Sequence, residues 1–202
     1  MRWALALAVV PLFGADAPRV VFSKSFPGSV PAYVEIALDR AGNATYKEAA
    51  DDDQPMKFQV AESDVREMFA LADKLGHFNH PLEAPLKVAF MGMKTFRFEN
   101  GAEKHEVKFN YSEDLDAQAL LDWFERISET EQHVINLERA AKYDKLGVNQ
   151  AVLLVQIAFE HKRLVAAQQL LPMLDRVAKN DTYMHMARER AAGLADAIRA
   201  SK

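Results

Sequence analysis

Hydrophobic and polar residues alternate along the first half of the chain, a pattern typical of half-buried β-strands. Val34, Ile36 and Leu38 alternate with polar neighbours, and the residues at 41–43 predict a turn before a returning strand at 44–48. A second hairpin is predicted around Asn100-Gly101, a dipeptide typical of tight hairpin turns. Further strands are expected at 20–22 and 56–60.

One segment between the two hairpins has helical periodicity instead. Its apolar residues recur every three or four positions, which predicts a helix with one buried face: Val65, Met68, Phe69, Ala72 and Leu75. Ser63 is expected to cap its first turn, and Gly76 to end it.

The longest pattern runs from Ser112 to Gly147 and predicts a helix that links two unlike halves. Ser112 is expected to cap it, with acidic residues in the first turn and with Lys142 and Lys145 near its end, where they complement the helix dipole. The middle of this stretch, residues 128–132, is polar. The pattern leaves open whether the helix is continuous, kinked or broken there.

Beyond Gly147 all of the periodicity is helical. The segment 151–159 is apolar almost all round, so we expect it to be the most buried helix of this half. Pro172 should kink the next helix, expected at 164–178, or start its second turn afresh, and Asp181 should cap the last helix.

These elements predict an α+β fold: a small antiparallel sheet of two hairpins with one packed helix, then a long helix leading into an all-α helical bundle or repeat-like C-terminal domain. The expected boundaries are 18–112 for the hairpin domain, 113–147 for the connecting helix and 148–202 for the helical domain.

The first 17 residues have the three parts of a secretory signal peptide. Arg2 is followed by an apolar core at 3–13 and by Ala15-Asp16-Ala17, a small–x–small cleavage form. We therefore expect export to the periplasm or the medium. Pro18 would follow the cut and leaves the cleavage position open. No other apolar run is long enough to predict a transmembrane anchor.

Composition excludes several classes of protein. The 202 residues contain no cysteine, which rules out disulfides and thiol catalysis. The net charge is −4 and the isoelectric point about 5.9, so a nucleic-acid partner is not expected. Charge is spread evenly along the chain, with no basic cluster.

The best metal-like grouping in the sequence is His77 and His80 with Glu83 nearby. Two imidazoles and a carboxylate are ligands that zinc accepts, although ordinary surface histidines of a loop explain the same residues. No phosphate-binding glycine loop and no nucleophile elbow occurs. The sequence therefore predicts no catalytic residue and no cofactor.

One stretch, Pro31-x-Tyr33-x-Glu35-Ile36-x-Leu38-Asp39-x-x-Gly42-x-x-x-Tyr46, resembles the first hairpin of an uncharacterised family of bacterial exported domains. The resemblance covers residues 20–125 in element order and implies the fold alone. That family often carries cysteines before the Pro-x-Tyr motif, and none stands there in this chain.

A second stretch, within residues 165–199, is similar to a single HEAT-type helical repeat. It carries Leu170-Leu171-Pro172-Met173-Leu174-Asp175, then Asn180-Asp181 and Ala187-Arg188-x-x-Ala191. HEAT repeats generally serve as protein-binding scaffolds, although an ordinary helical hairpin would show the same pattern.

These observations lead to a functional hypothesis: an exported, non-enzymatic protein-interaction module that uses its C-terminal helices from Val148 onward. Arg188, Glu189 and Arg190 are expected near the rim of the binding surface. The alternative is a metal-binding protein or metal-dependent enzyme using His77, His80 and Glu83. The oligomeric state is left open.

Overall fold

The computed structural model describes residues 17–201, so the predicted signal segment falls outside it except for Ala17. The six strands are β1 (Arg19–Ser25), β2 (Tyr33–Asp39), β3 (Asn43–Lys47), β4 (Met56–Gln59), β5 (Met93–Asn100) and β6 (Glu103–Phe109). They form one antiparallel sheet in the order β4-β3-β2-β1-β5-β6. Strand β1 joins the two predicted hairpins, and the α+β class is confirmed.

The turn between β2 and β3 has a backbone that suits glycine. Gly42 has a φ of +84°, and a Cβ atom there would lie 2.6 Å from the carbonyl oxygen of Val60. Asp39 closes the turn, because its carboxylate accepts hydrogen bonds of 2.9 Å from the backbone N–H groups of Ala41 and Asn43. This turn sets the register of the first hairpin.

One face of the sheet packs on two helices, α1 (Glu62–Lys74) and the first half of α2 (Leu115–Tyr143). Phe22 of β1 stacks on Phe124 of α2, with ring centroids 5.1 Å apart. The rest of this first core is apolar and fully buried, and includes Val20, Ile36, Leu38, Met68, Phe69, Phe96, Phe98, Phe109 and Leu120. The sequence predicted one packed helix on the sheet; α2 is a second one.

Helix α1 begins one residue before its predicted cap. Ala61 has an extended backbone and its carbonyl accepts from the N–H groups of Asp64 and Val65, both at 3.0 Å. Ser63 therefore lies inside the first turn, and its hydroxyl bonds to Asp64 instead of capping the helix. The capping prediction for Ser63 was wrong for this reason.

Helix α2 is continuous over 29 residues, a length of about 44 Å at 1.5 Å per residue. Its cap is Asp114, whose side chain accepts from the N–H groups of Asp116 and Ala117 at 2.9 and 3.0 Å. Ser112 was the predicted cap, but its hydroxyl accepts from Asp114 N–H, in the turn before the helix.

The second half contains α3 (Val148–Glu160), a 3₁₀ turn (Ala167–Leu170), α4 (Leu171–Lys179) and α5 (His185–Ala200). A second core forms between these elements and the end of α2. Its fully buried members include Leu137, Val148, Val152, Val155, Leu174, Val177, Ala191 and Ile198. Pro172 lies in the first turn of α4. This agrees with the predicted alternative in which a helical turn starts afresh at the proline.

Helix α3 is buried on one face only, contrary to the prediction. Val152 and Val155 are fully buried, whereas Leu154 and Ile157 are 43% and 42% exposed. The reason is that α3 packs mainly against α2 and α5, and the face away from them is left uncovered in the described part of the chain.

Helix α5 starts at His185, directly after Met184, whose side chain makes no capping hydrogen bond. Asp181 was the predicted cap, but it lies too far upstream and forms an ion pair with Arg188. Among residues 17–201, no helix is both long and apolar enough to cross a bilayer.

Candidate functional site

The C-terminal helices are fixed to the middle of α2 by polar contacts. The Thr130 hydroxyl donates to the Arg126 carbonyl (2.9 Å) and accepts from the Val165 N–H (3.0 Å). Arg163 reaches two carboxylates of α2, Glu129 at 3.0 Å and Asp122 at 2.6 Å. The polar residues at 128–132 therefore include the contacts that hold the second half. These contacts explain why the segment is polar although the helix is unbroken.

Glu131 is the most unusual group at this junction, because its side chain is fully buried. One carboxylate oxygen accepts from the Gln169 amide at 2.7 Å, and the other has no hydrogen-bond partner. Burial raises the pKa of Glu131 to about 7, against an ordinary value of 4.5. Its position between the two halves gives it a structural role.

The structure does not bring His77, His80 and Glu83 together. His77 lies in a short 3₁₀ turn after α1, where its ring stacks on Phe98 with centroids 4.0 Å apart and its Nε2 lies 2.9 Å from Asp73. Glu83 accepts the backbone N–H of Asn110 instead.

His80 is exposed and lies beside an open depression that also contains His105. Glu103 is within ion-pair distance of both His77 and His105, at 3.5 and 3.6 Å. No group of three or more histidines and carboxylates in residues 17–201 is arranged to hold a metal ion. The geometry therefore lends the metal alternative no support.

A groove of about 500 Å³ lies between α3 and α5. Phe159 and Leu194 supply apolar surface from the two helices, and Met186, at the start of α5, is 56% exposed beside it. Glu160 lines the groove and is three residues from Ile157, so the exposed face of α3 adjoins this groove. Together they form an apolar surface that the described residues leave open.

Charges around the groove are mainly acidic. Glu160 and Glu189 line it with exposed side chains. The third charged residue, Arg190, donates from its guanidinium to the side-chain oxygen of Asn149. Two carboxylates and one guanidinium line the groove, so its net charge is negative.

The floor of the groove includes Gly193, in the interior of α5. A Cβ atom at this position would meet nothing within 4 Å, and the backbone has no left-handed φ. A helix-interior glycine costs about 1 kcal/mol relative to alanine. Nothing within the described residues requires a glycine at this position.

The expected rim residues divide into two sets. Glu189 and Arg190 line the groove, whereas Arg188 forms an ion pair with Asp181. Gly193 was missed, although an isolated glycine inside a helical pattern is a recognised signal. The exposure of Leu154 was also missed, because it depends on which elements cover α3.

Comparison of the chain with models of known protein families and with curated proteins finds no match to either. The resemblances to the exported-domain family and to a HEAT-type repeat therefore stay predictions.

Proposed function

We propose that the protein is an exported, non-enzymatic interaction module that binds a segment of a protein partner in the groove between α3 and α5. The single observation that carries this proposal is Gly193: an exposed glycine in the middle of a helix, with open space above it and at the floor of an apolar groove. A bound segment can approach α5 closely only if this position has no side chain.

The chemistry of the groove selects the kind of segment. Apolar side chains at its centre favour an amphipathic helix, which inserts its apolar face into such grooves. Glu160 and Glu189 at the edges favour lysine or arginine on the flanks of that helix. The proposed occupant is therefore a basic amphipathic helix of another protein.

The exposed face of α3 extends this binding surface. Leu154 and Ile157 are three residues apart and lie on one side of the helix. Interfaces usually bind through a few apolar or aromatic anchors surrounded by a polar rim. These two residues are the proposed anchors outside the groove.

Site-specific photocrosslinking tests the proposal. A photoreactive benzophenone side chain replaces Met186, an exposed residue that lines the groove. The full chain is expressed in the envelope of its native host, and crosslinked proteins are identified by mass spectrometry. We expect one defined adduct, with the crosslink located in a basic amphipathic segment. Replacing both Glu160 and Glu189 by lysine should abolish it, because the flanking charges then repel.

The matched control carries the same photoreactive side chain at Asp51, an exposed position in the first half. The same adduct from position 51 would mean nonspecific capture and would sink the proposal. An adduct of twice the chain mass would also overturn it, since the occupant would be a second copy of this protein.

Export is part of the proposal and rests on the sequence of residues 2–17. Intact-mass measurement of the protein isolated from the envelope should give a chain that begins near Pro18. A chain that retains Met1 would show that this segment is not a cleaved signal.

A further inference from the structure

Two lysines stand where the sheet's core face would ordinarily carry apolar side chains. In the β1–β5 register Phe22 lies opposite Phe96, and two residues further along Lys24 lies opposite Lys94. Side chains two residues apart on a strand share a face, so both lysines continue the buried phenylalanine rows. Like charges directly opposite each other destabilise a sheet, and this pair therefore calls for an explanation.

Lys94 is almost completely buried, with 4% of its surface exposed. Its ammonium donates to the carbonyl oxygens of Gly92 at 3.2 Å and Asn110 at 2.7 Å, which uses two of its three N–H groups. No carboxylate lies within ion-pair distance of it in the described residues. Burial and the neighbouring Lys24 lower the pKa of Lys94.

Both lysines line a cavity of about 250 Å³ between this end of the sheet and the first turns of α2. Apolar side chains form much of its wall, namely Met91, Phe109, Ala117 and Leu121. Glu125 is its only lining carboxylate, and it lies 3.7 Å from the Lys24 ammonium. The cavity therefore holds two cationic groups and one anionic group.

The two amide side chains of the wall already have partners. The Gln118 amide donates to the Ser112 carbonyl at 2.8 Å. The Asn110 side chain accepts from Met91 N–H at 2.7 Å and donates to the Ala89 carbonyl at 3.0 Å. The cationic groups that face the cavity are the two ammonium groups, and the hydroxyl-bearing residues Tyr111 and Ser112 also line it.

We infer that this cavity binds a small monocarboxylate with a short apolar tail, its carboxylate held between Lys24 and Lys94. Directly opposite residues of an antiparallel pair have Cβ atoms about 5 Å apart, so both ammonium groups can reach the two oxygens of one carboxylate. A single negative charge balances the excess positive charge, and the tail occupies the apolar wall.

The segment preceding β5 lies at this cavity. Gly92 has a φ of +93°, and a Cβ there would lie 2.9 Å from Phe26 Cβ and 3.2 Å from Lys24 Cε. The missing side chain lets the segment pack on β1, with Phe90 against Phe26 at 5.8 Å between ring centroids. Met91 is thereby placed in the cavity wall, where a flexible thioether adapts to different tails.

Titration of the full mature chain with sodium octanoate tests this inference, followed by ¹⁵N-resolved NMR. We expect saturable shifts of the backbone amides of Lys24, Met91 and Leu121. Octanol and octylamine have the same tail without the carboxylate, and acetate has the carboxylate without the tail. Each should bind at least about tenfold more weakly than octanoate. Octanol and octylamine lose the charge-assisted contact with the lysines, and acetate loses the contact of the tail with the apolar wall.

The variant Lys24→Met keeps the length of the side chain and removes one ammonium group, and we expect about tenfold weaker octanoate binding. Lys108→Met is the matched control, because Lys108 is an exposed lysine of β6 paired with Glu106 at 3.2 Å. It changes the net charge equally and should leave binding unaltered.

Three results would overturn the inference: no saturable shift with octanoate, equal binding of octanol, or equal loss in Lys24→Met and Lys108→Met. Because the amide shifts are read on the unmodified chain, failure of a variant to fold does not remove the test. The groove between α3 and α5 plays no part in this experiment, so its outcome is independent of the proposed function.

Discussion

At the scale of single residues, buried polar groups rather than apolar ones distinguish this protein. Glu131 is fully buried with one unpaired oxygen, at the point where the two halves meet. An unpaired buried carboxylate is unfavourable when charged. Its raised pKa shows how the protein accommodates it, since the neutral form is favoured up to about pH 7.

The first prediction concerns the pH dependence of stability. Because the pKa of Glu131 is higher in the folded chain than its ordinary value, the folded state binds the extra proton between pH 4.5 and about 7. The contribution of Glu131 to the unfolding free energy is therefore greatest below pH 4.5 and is lost as pH rises through 7. The difference is on the order of 3 kcal/mol.

Glu131→Gln removes this titration while keeping the shape of the side chain. We expect its unfolding free energy, relative to the wild type, to increase from pH 4.5 to pH 8. Urea denaturation at both pH values measures it. If the difference in unfolding free energy between the variant and the wild type stayed constant from pH 4.5 to pH 8, Glu131 would not titrate in the folded chain as described.

The second prediction concerns Gly193. Since a Cβ atom there meets nothing within 4 Å, Gly193→Ala should raise the unfolding free energy by about 0.5–1 kcal/mol, the helix-propensity difference. Thermal or urea unfolding measures it. A loss of stability would mean that the glycine is required within the chain itself, and the argument for a binding partner would lose its basis.

At the scale of elements, the strands and hairpins were predictable because alternation and turn residues are local signals. The pattern at 34–38 and the Asn100-Gly101 turn led directly to β2 and to the β5–β6 hairpin. The presence of helix α2 was also predictable, although its polar middle left its continuity open. Its cap was not, because Ser112 and Asp114 are both capping residues and only the path of the chain decides between them.

The third prediction follows from that cap. Asp114→Ala should lower the unfolding free energy by roughly 0.5–2 kcal/mol, because two N–H groups of the first turn lose their acceptor. Asp114→Asn is the control, since asparagine caps about as well. If both variants lost the same amount of stability in urea denaturation, the cap would not be the cause.

The fourth prediction concerns the partly exposed face of α3. Its apolar pattern alone does not reveal how many neighbours cover the helix, so hydrophobicity all round was taken as burial all round. The structure predicts that Leu154→Asp and Ile157→Asp still fold, at a cost of roughly 1–2 kcal/mol each, because both side chains are only partly buried.

Val155→Asp places the same charge on the buried face and should cost several kcal/mol, enough to unfold a protein of ordinary stability. Circular dichroism melts of the three variants measure the contrast. An equal fall in melting temperature for all three variants would mean that the outer face of α3 is covered.

At the scale of the whole molecule, α2 belongs to both cores. Leu120 and Phe124 pack under the sheet, and Leu137 packs among the C-terminal helices. Val165, from the second half in sequence, completes the first core. The predicted division at 147 therefore separates residues that pack together, and removing 148–202 would expose both cores.

The candidate sites depend on this tertiary arrangement and could not be read from the sequence. The groove needs α3 beside α5, and the lysine cavity needs β1 beside β5, a pairing between residues some 70 positions apart. The sequence did show parts of each. Lys24 interrupts an apolar alternation and Gly193 interrupts a helical pattern, but neither identifies its spatial neighbours.

The most direct test of the proposed groove compares the binding of the partner captured at position 186 to the wild type and to Gly193→Gln. Glutamine is a good helix former, so this variant should fold at least as stably as the wild type, while its side chain occupies the groove floor. Isothermal titration calorimetry should show at least about tenfold weaker binding, a loss of 1.4 kcal/mol or more. Unchanged affinity in this stable variant would show that the partner does not enter the groove.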